Sequence, residues 1–402
     1  MRTHWILASL LALGLGTGSA HAETTVKLGV LSDMSSLYAD IGGPGSVVAA
    51  KMAVEDFNPA KNGMKVEVLS ADHQNKPDVG SNIVRQWIDV DHVDAIVDVP
   101  TSSVALAVAQ VVKEKNKVFL ISGAGSSDLT GKQCTPNNIH WVYDTYALAH
   151  GTGGAIVKQG GKTWFFITAD YAFGHALERD TADVVKAEGG KVLGEVRVPL
   201  NTPDFSSFLL QAQSSKAQVI GLANAGGDTI NSIKQAAEFG IVQGGQRLAG
   251  LLVFISDVHS LGLQTAQGLT VTTGFYWDLN DKTRAFAKRF AALDGGKYPT
   301  MVHAGVYSSV LKYLETVKQV GSPEDGVKIV NAMKASEFND PLFGMTKIRV
   351  DGTALHDMYL VEVKKPSESK GPYDYYKVLA TIPGDQAFRS LAAEKGECPL
   401  VK

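Results

Sequence analysis

Two short loops rich in serine, threonine and glycine carry the groups best suited to chemistry in this sequence. One loop, Thr101–Ser103, follows an apolar run, Val93–Val99, that predicts a buried strand. The other loop, Gly123–Ser127, follows a second such run, Val118–Ser122. Ligands of α/β sheets bind at the carboxyl ends of the strands. A helix N-terminus at such a place offers free N–H groups and a positive dipole end, so the two loops predict a site for an anion.

The loop residues that we expect to contact a ligand are Thr101, Ser102, Ser103, Gly123, Ala124 and Gly125. The alternative is that Ser102 or Ser103 only caps the following helix. An aromatic-rich loop also follows a predicted strand at Lys162–Ala169, and its Tyr171 and Phe173 are expected to form a wall for an apolar ligand.

The sequence contains no familiar catalytic motif. It has no H-E-x-x-H, no phosphate-binding loop with a lysine and no G-x-S-x-G. Its ten histidines are scattered without metal-ligand spacing, so we expect no metal site and no cofactor. His303 begins an amphipathic helix and could line a cleft, although a packed histidine is the alternative. The less favoured hypotheses are a ligand sensor that acts through a receptor and an unrecognised hydrolase-like enzyme, built for example on Asp170–His175.

Composition sets the size and the class of partner. The chain has 402 residues, enough for two domains, and its hydrophobic content of 45% and charged content of 20% are typical of globular proteins. The formal charge of −3 gives no indication of a nucleic acid or an anionic membrane as a partner.

The N-terminus has the three parts of an export signal. Basic residues precede an apolar run, Trp5–Leu15, and small residues lead to Ala20-His21-Ala22. We therefore expect cleavage after Ala22 and a soluble, exported mature chain that begins at Glu23. The apolar run is too short for a transmembrane helix.

Two cysteines, Cys134 and Cys398, are the whole complement of thiols. In an oxidising compartment such a pair is expected to form a disulfide. The alternative is two unrelated buried thiols. Without nearby histidine ligands, the pair makes a poor zinc site.

The order of predicted elements indicates two α/β units and a third segment that returns to them. The first unit alternates strands and helices through Ser122 in the pattern of a parallel sheet covered on both faces. The second predicts one helix over Tyr146–Gln159 and ends in a strand over Leu248–Ile255. Beyond Gly268 come a strand at Thr270–Tyr276, three helices and three further strands. The predicted helices are Lys282–Leu293, Val302–Val320 and Pro323–Ser336, and the strands are Lys347–Val350, Asp357–Lys364 and Tyr375–Ile382.

Several short stretches resemble motifs of one known family when they are taken in order. Gly29–Tyr38 (GVLSDMSSLY) ends the first strand, and the hydroxyls at Thr101–Ser103 follow the third. Asp128-Leu129-Thr130, the aromatic-glycine motif at Tyr171–Gly174 and the cap at Asp204-Phe205-Ser206 come next. Together they resemble the Leu/Ile/Val-type periplasmic solute-binding proteins of ABC transporters. Where the family has a Ser-Gly-Pro-like turn, this chain has Ser35-Ser36-Leu37.

The resemblance implies a type I periplasmic binding protein, an α/β fold of two Rossmann-like lobes joined by three crossovers that act as a hinge. It implies no catalysis and no cofactor. The expected divisions are 1–22 as signal peptide, 23–143 with 273–355 as lobe 1, 144–272 with 356–390 as lobe 2, and 391–402 as a tail returning toward lobe 1. A permease complex in the inner membrane would be the partner, and the protein would work in the periplasm as a monomer.

Four stretches are closest to the branch of the family that binds aromatic acids such as benzoate derivatives. They are Ser70–Gly80, His140–Ala149, Thr168–Asp180 and Gly221–Ile241. Amino-acid binders place an acidic residue for the ammonium group where this chain has Ser256, although Asp257 is adjacent and could substitute.

The expected ligand is therefore a small aromatic carboxylate, with a branched-chain or other amino acid as the alternative. Tyr38 would pack against the ring, and His303 or Asn224 would reach a ring hydroxyl. Including the residues implied by the resemblance, the further expected contacts are Ser36, Tyr38, Asn224, Ser256, Asp257 and His303.

Overall fold

The computed structural model describes residues 23–402. The predicted signal peptide, residues 1–22, lies outside this range. Within it, no helix combines the length and the apolar character that a membrane crossing requires.

Lobe 1 is built on a five-stranded parallel sheet in the order β2-β1-β3-β4-β5. Its strands β3 and β4 are buried at every position, which explains their continuous apolar sequences. The elements are β1 Thr24–Ser32, α1 Gly43–Phe57, β2 Met64–Asp72, α2 Pro77–Asp89, β3 Ala95–Asp98, α3 Ser102–Glu114, β4 Val118–Ile121 and β5 Asn138–His140.

Lobe 2 repeats this design on a four-stranded parallel sheet in the order β7-β6-β8-β9. The first helical stretch is interrupted by a π-helical turn at Ala149–Gly153. The elements are α4 Thr145–Leu148, α5 Gly154–Lys158, β6 Thr163–Ala169, α6 Ala172–Ala187, β7 Lys191–Val198, α7 Ser206–Ser214, β8 Val219–Ala223, α8 Gly227–Glu238, β9 Arg247–Gly250, α9 Ile255–Leu261 and α10 Leu263–Ala266.

The remaining chain passes back and forth between the lobes. Helix α12 packs along α1, and Thr353 bridges to His140 beside the first sheet, while β10, β14 and β15 form an antiparallel sheet next to lobe 2. The elements are β10 Thr270–Thr273, α11 Asp281–Leu293, α12 Met301–Val320, α13 Gly326–Lys334, β11 Phe338–Asp340, β12 Gly344–Ile348, β13 Ala354–Leu355, β14 Met358–Val363, β15 Tyr376–Ile382, α14 Gly384–Ala387 and α15 Leu391–Glu394. With the passage after β5, this gives the three crossovers of the expected fold.

The structure corrects the predicted end of the second unit. The strand predicted over Leu248–Ile255 stops at Gly250, and helix α9 begins at Ile255. The reason is a local cap, because the Asp257 carboxylate accepts a hydrogen bond of 2.8 Å from the Phe254 amide and so fixes the first turn of the helix. The strand predicted over Thr270–Tyr276 likewise ends at Thr273.

The predicted disulfide between Cys134 and Cys398 is present. The two Cα atoms lie 5.6 Å apart and are separated by 264 positions in the sequence. Both residues are buried. The bond therefore ties the C-terminal tail to the segment between β4 and β5 of lobe 1.

Loss of this bond should lower the free energy of unfolding. In the chain-entropy model, opening so long a loop costs about 5 kcal/mol, and native strain would reduce that figure. We expect Cys134→Ala/Cys398→Ala to unfold at lower denaturant concentration than the parent. Thiol labelling of the unfolded, non-reduced parent should find no free cysteine. Two labelled thiols, or identical unfolding midpoints, would contradict the prediction.

Candidate ligand site between the lobes

The carboxyl ends of the two parallel sheets face each other across a narrow cavity of about 10 Å³, which is too small to hold an aromatic ring. Lobe 1 and lobe 2 both contribute to its wall, as expected for ligand sites at strand ends. The residues that line it are Tyr38, Ile41, Pro100, Gly123, Tyr143, Tyr171, Phe173, Ala225, Leu252 and Phe254. Five of these ten side chains are aromatic and none carries a charge. The walls lie close together, so a ring can enter only if they move apart.

Two tyrosines join the lobes inside the cavity. The hydroxyl oxygens of Tyr38, from the loop after β1, and Tyr171, at the start of α6, lie 2.5 Å apart. Burial raises the pKa of both phenols, so both hydroxyls stay protonated at neutral pH. One proton is shared between the two oxygens, which leaves the second available to a ligand acceptor.

Glycines in the loop after β4 let the aromatic walls come close to the backbone. A Cβ atom on Gly125 would lie 2.7 Å from the Tyr143 ring and 3.0 Å from the Phe173 ring. On Gly123 it would lie 2.7 Å from the Pro100 Cα atom. The Tyr143 hydroxyl donates to the Gly123 carbonyl and fixes that ring. Any larger residue at position 125 would therefore displace the cavity wall.

Backbone donors are available on the lobe 1 side. In the described part of the chain, the amides of Ser103 and Gly125 donate to no protein acceptor. Ser103 lies in the first turn of α3, where amides are unpaired by geometry. Neither residue is among those that line the cavity, although Gly125 lies against the Tyr143 and Phe173 rings and Ser103 follows Pro100 by three positions. Their N–H groups and the positive end of the α3 dipole are neutral features that could bind an anion, as could the free tyrosine hydroxyl.

The hydroxyls of the first loop are used to hold the site together. The Thr101 hydroxyl donates to the Asn75 side chain, and the Ser102 hydroxyl accepts from the Ser126 amide at 3.1 Å. The Ala124 carbonyl lies 2.6 Å from His140 Nε2. Burial lowers the pKa of His140 to about 4, so this ring is neutral and donates from Nε2. Thr101, Ser102 and Ala124 thus fix the loops, and Ser103 is half-buried at the start of α3.

The end of β3 is strained. Asp98 and Val99 have φ angles of 79° and 61°, which β-branched residues such as valine rarely adopt. Asp98 is fully buried, and one of its oxygens accepts from the Ser32 hydroxyl at 2.8 Å. Burial raises the pKa of Asp98 to about 6. The bend turns the chain so that Pro100 enters the cavity wall.

Four predicted site residues are held elsewhere in the structure. Ser36 bonds to Asp33, and Asn224 bonds to Thr229 and Ser232 inside lobe 2. Ser256 and His303 line a larger, open depression between the lobes rather than the small cavity.

His303 and Asp257 both form hydrogen bonds with backbone groups. Thr300 donates its amide to His303 Nδ1, and Nε2 lies 2.9 Å from the Gly42 carbonyl. Burial lowers the pKa of His303 to about 4, which keeps the ring neutral. Asp257 caps α9 through the Phe254 amide, and burial raises its pKa to about 7. Asp257 therefore acts on the cavity through the position of Phe254.

Sequence reasoning missed six lining residues, which are Ile41, Pro100, Tyr143, Ala225, Leu252 and Phe254. Tyr143 could have been found, since it lies at the predicted passage between the lobes. Leu252 and Phe254 were hidden because the predicted strand ran through them. Across residues 23–402, no group of three or more His, Cys, Asp or Glu side chains is placed to hold a metal ion.

Comparison with known proteins gives consistent results. The family model described as periplasmic binding protein matches residues 25–371. A Leu/Ile/Val-binding protein homolog of Brucella melitensis is 23% identical over 390 residues, which cover 94% of this chain and 96% of that protein.

Solved structures agree. A periplasmic binding protein from Burkholderia mallei is 54% identical with a TM-score of 0.90, over 94% of this chain and all of that one. A branched chain amino acid ABC transporter periplasmic ligand-binding protein from Burkholderia xenovorans is 42% identical with a TM-score of 0.82, over the same shares.

A more distant likeness concerns the fold alone. A solute-binding protein of an ABC transporter from R. palustris, solved in complex with benzoate, is 22% identical with a TM-score of 0.78, over 90% of this chain and 97% of that one. The family model spans most of the chain, and both lobes and all three crossovers are present. The chain therefore belongs to the periplasmic binding protein family and is a relative of its Leu/Ile/Val-binding members.

Proposed function

We propose that this protein is the solute-binding component of an ABC importer and that it captures a small aromatic carboxylate between its lobes. The observation that carries the proposal is the cavity wall, which is half aromatic and wholly uncharged. Flat rings pack well against Tyr171, Phe173 and Tyr143. A carboxylate would be met by the amides of Ser103 and Gly125 and by the α3 dipole.

The absence of charge on the wall favours an aromatic acid over an amino acid. An ammonium group buried in this cavity would need a carboxylate partner to offset its desolvation. Asp257 is one candidate from lobe 2, and its carboxylate already caps α9. The benzoate complex of the R. palustris neighbour supports the idea that this fold accommodates such a ligand.

A branched-chain amino acid is the second candidate. The Burkholderia xenovorans neighbour, described as a branched chain amino acid binding protein, supports it. Two buried acidic residues, Asp98 and Asp257, lie outside the cavity lining. The carboxylate of either residue could turn toward an ammonium group of the ligand.

The proposed setting follows from the family. We propose a monomer in the periplasm, exported by the signal at residues 1–22, that works by binding alone and delivers its ligand to a permease complex. The lobes would divide at 143/144, 272/273 and 355/356, with 391–402 as a tail toward lobe 1.

Calorimetry on ligand-stripped protein separates the two ligands. We expect benzoate and 4-hydroxybenzoate to bind tightly and leucine to give little heat, because the wall stacks rings and offers no free carboxylate. Tight binding of leucine with no response to either aromatic acid would overturn the aromatic proposal. The family assignment would stand.

Ligand binding should also compact the protein. The narrow cavity requires the lobes to open for entry and to close afterwards, with bending near Tyr143–Thr145, Thr272–Gly274 and Ala354–Asp357. Small-angle scattering should show a smaller radius of gyration at saturation than in the stripped protein. An unchanged radius at saturation would argue against hinge closure.

Filling the space beside Gly125 should block binding. A valine there would collide with Tyr143 and Phe173, so we expect Gly125→Val to weaken affinity at least about tenfold, in line with 1–3 kcal/mol for overpacking. Gly371→Val is the matched control, since a Cβ atom at Gly371 would meet nothing within 4 Å. Equal affinities of the two variants would show that position 125 does not border the ligand.

A further inference from the structure

A cluster of polar side chains joins the lobes behind the cavity. We call it the interlobe cluster and define it as Ser127 and Asp128 of lobe 1, Thr145 at the first crossover, and Arg179 and Asp180 on α6 of lobe 2. Asp180 is 3% exposed. One of its oxygens accepts from the Ser127 hydroxyl at 2.7 Å and from the Thr145 hydroxyl at 2.6 Å. A carboxylate from lobe 2 is thus held by hydroxyls from lobe 1 and the crossover.

Arg179 adds a second link between the same segments. Its guanidinium donates to the Asp128 carboxylate at 3.0 Å and to the Ser127 hydroxyl at 2.7 Å, both in lobe 1. Its Nε atom donates to Asp180 at 3.0 Å. The planar fork of arginine allows all three bonds at once, which a lysine could not reproduce. Arg389, from the C-terminal segment, approaches the other side of Asp180 at 3.4 Å.

The interlobe cluster is continuous with the cavity wall on both sides. On lobe 1, the Gly125 carbonyl accepts from the Thr145 amide at 2.7 Å, and the Ser127 amide donates to the Thr145 hydroxyl at 3.1 Å. On lobe 2, Arg179 and Asp180 lie on α6, the helix that carries Phe173 in its first turn. The cluster therefore sets the spacing between the Gly125 wall and the Phe173 wall.

We propose that Arg179 and Asp180 are positioning residues that hold the lobes in the closed arrangement and so set ligand affinity without contacting the ligand. If the bonds of the interlobe cluster break when the lobes open, they shift the population toward the closed state, and a ligand that binds the closed state gains the same free energy. The proposal rests on the hinge closure proposed above. It does not depend on which ligand is bound.

The test measures the opening of the lobes directly in ligand-free protein. Spin labels on Asp40→Cys and Ser260→Cys would stand on opposite sides of the open depression, since Asp40 belongs to lobe 1 and Ser260 to lobe 2. Arg179→Met removes the bonds to Ser127 and Asp128. Arg197→Met is the matched control, because Arg197 has a similar exposure of 38% against 39% and pairs with Glu178 and Glu195 inside lobe 2.

We expect Arg179→Met to shift the distances between the two labels toward longer values. Arg197→Met should show the same distance distribution as the parent protein. Arg179→Lys should fall between them because it can reach only Asp128. Dissociation of benzoate should be about two- to fivefold faster in Arg179→Met, the range expected for a partly exposed ion pair.

Several outcomes would overturn the proposal. One is a distance distribution of Arg179→Met equal to that of Arg197→Met. Another is a loss of melting temperature with unchanged distances, which would make Arg179 merely structural. If no aromatic acid binds to the parent, the ligand proposal fails, but the label distances still decide the role of Arg179.

Discussion

The part-buried hydrogen bond between Tyr38 and Tyr171 joins the two lobes inside the cavity. Its strength depends on the two sheets meeting at their carboxyl ends and on three crossovers that keep them aligned. A buried hydroxyl without a hydrogen-bond partner costs more free energy than a formed hydrogen bond contributes. In the closed cleft, the two hydroxyls therefore need either each other or a polar group of a ligand as a partner. Tyr171 packs against the Phe173 ring, and the Tyr38 amide donates to the Asp33 carboxylate, so both residues are held by their own lobes.

None of the described residues that line the cavity is charged, and the acidic residues Asp98 and Asp257 lie outside its lining. Asp98 and Asp257 are buried, and one oxygen of each accepts a hydrogen bond, from the Ser32 hydroxyl in one case and from the Phe254 amide in the other. The other oxygen of Asp98 is buried without a hydrogen-bond partner in the described part of the chain. Burial disfavours their ionised forms, which is why both have a raised pKa. The cavity that we propose as the ligand site is therefore lined by rings and uncharged groups. Such a surface suits an anion with a flat apolar body.

Much of the fold was readable from sequence because its signals are local. The apolar runs of β3 and β4, the helical periodicity of α12 and the cysteine pair each predicted what the structure contains. The site was less accessible because it depends on contacts between distant segments. Pro100 reaches the wall through the strained turn at Asp98, and Phe254 reaches it because β9 ends at Gly250 and Asp257 caps helix α9. Neither the strained turn nor the helix cap changes the hydrophobic periodicity from which helices and strands are predicted.

The most direct measurement is a crystal structure of the protein purified without unfolding, so that any ligand bound during expression is retained. The account predicts planar density between Phe173 and Tyr143, with a carboxylate directed at the amides of Ser103 and Gly125. Density for an aliphatic ligand whose amino group contacts Asp98 or Asp257, or for a ligand seated only in the depression beside His303, would contradict it.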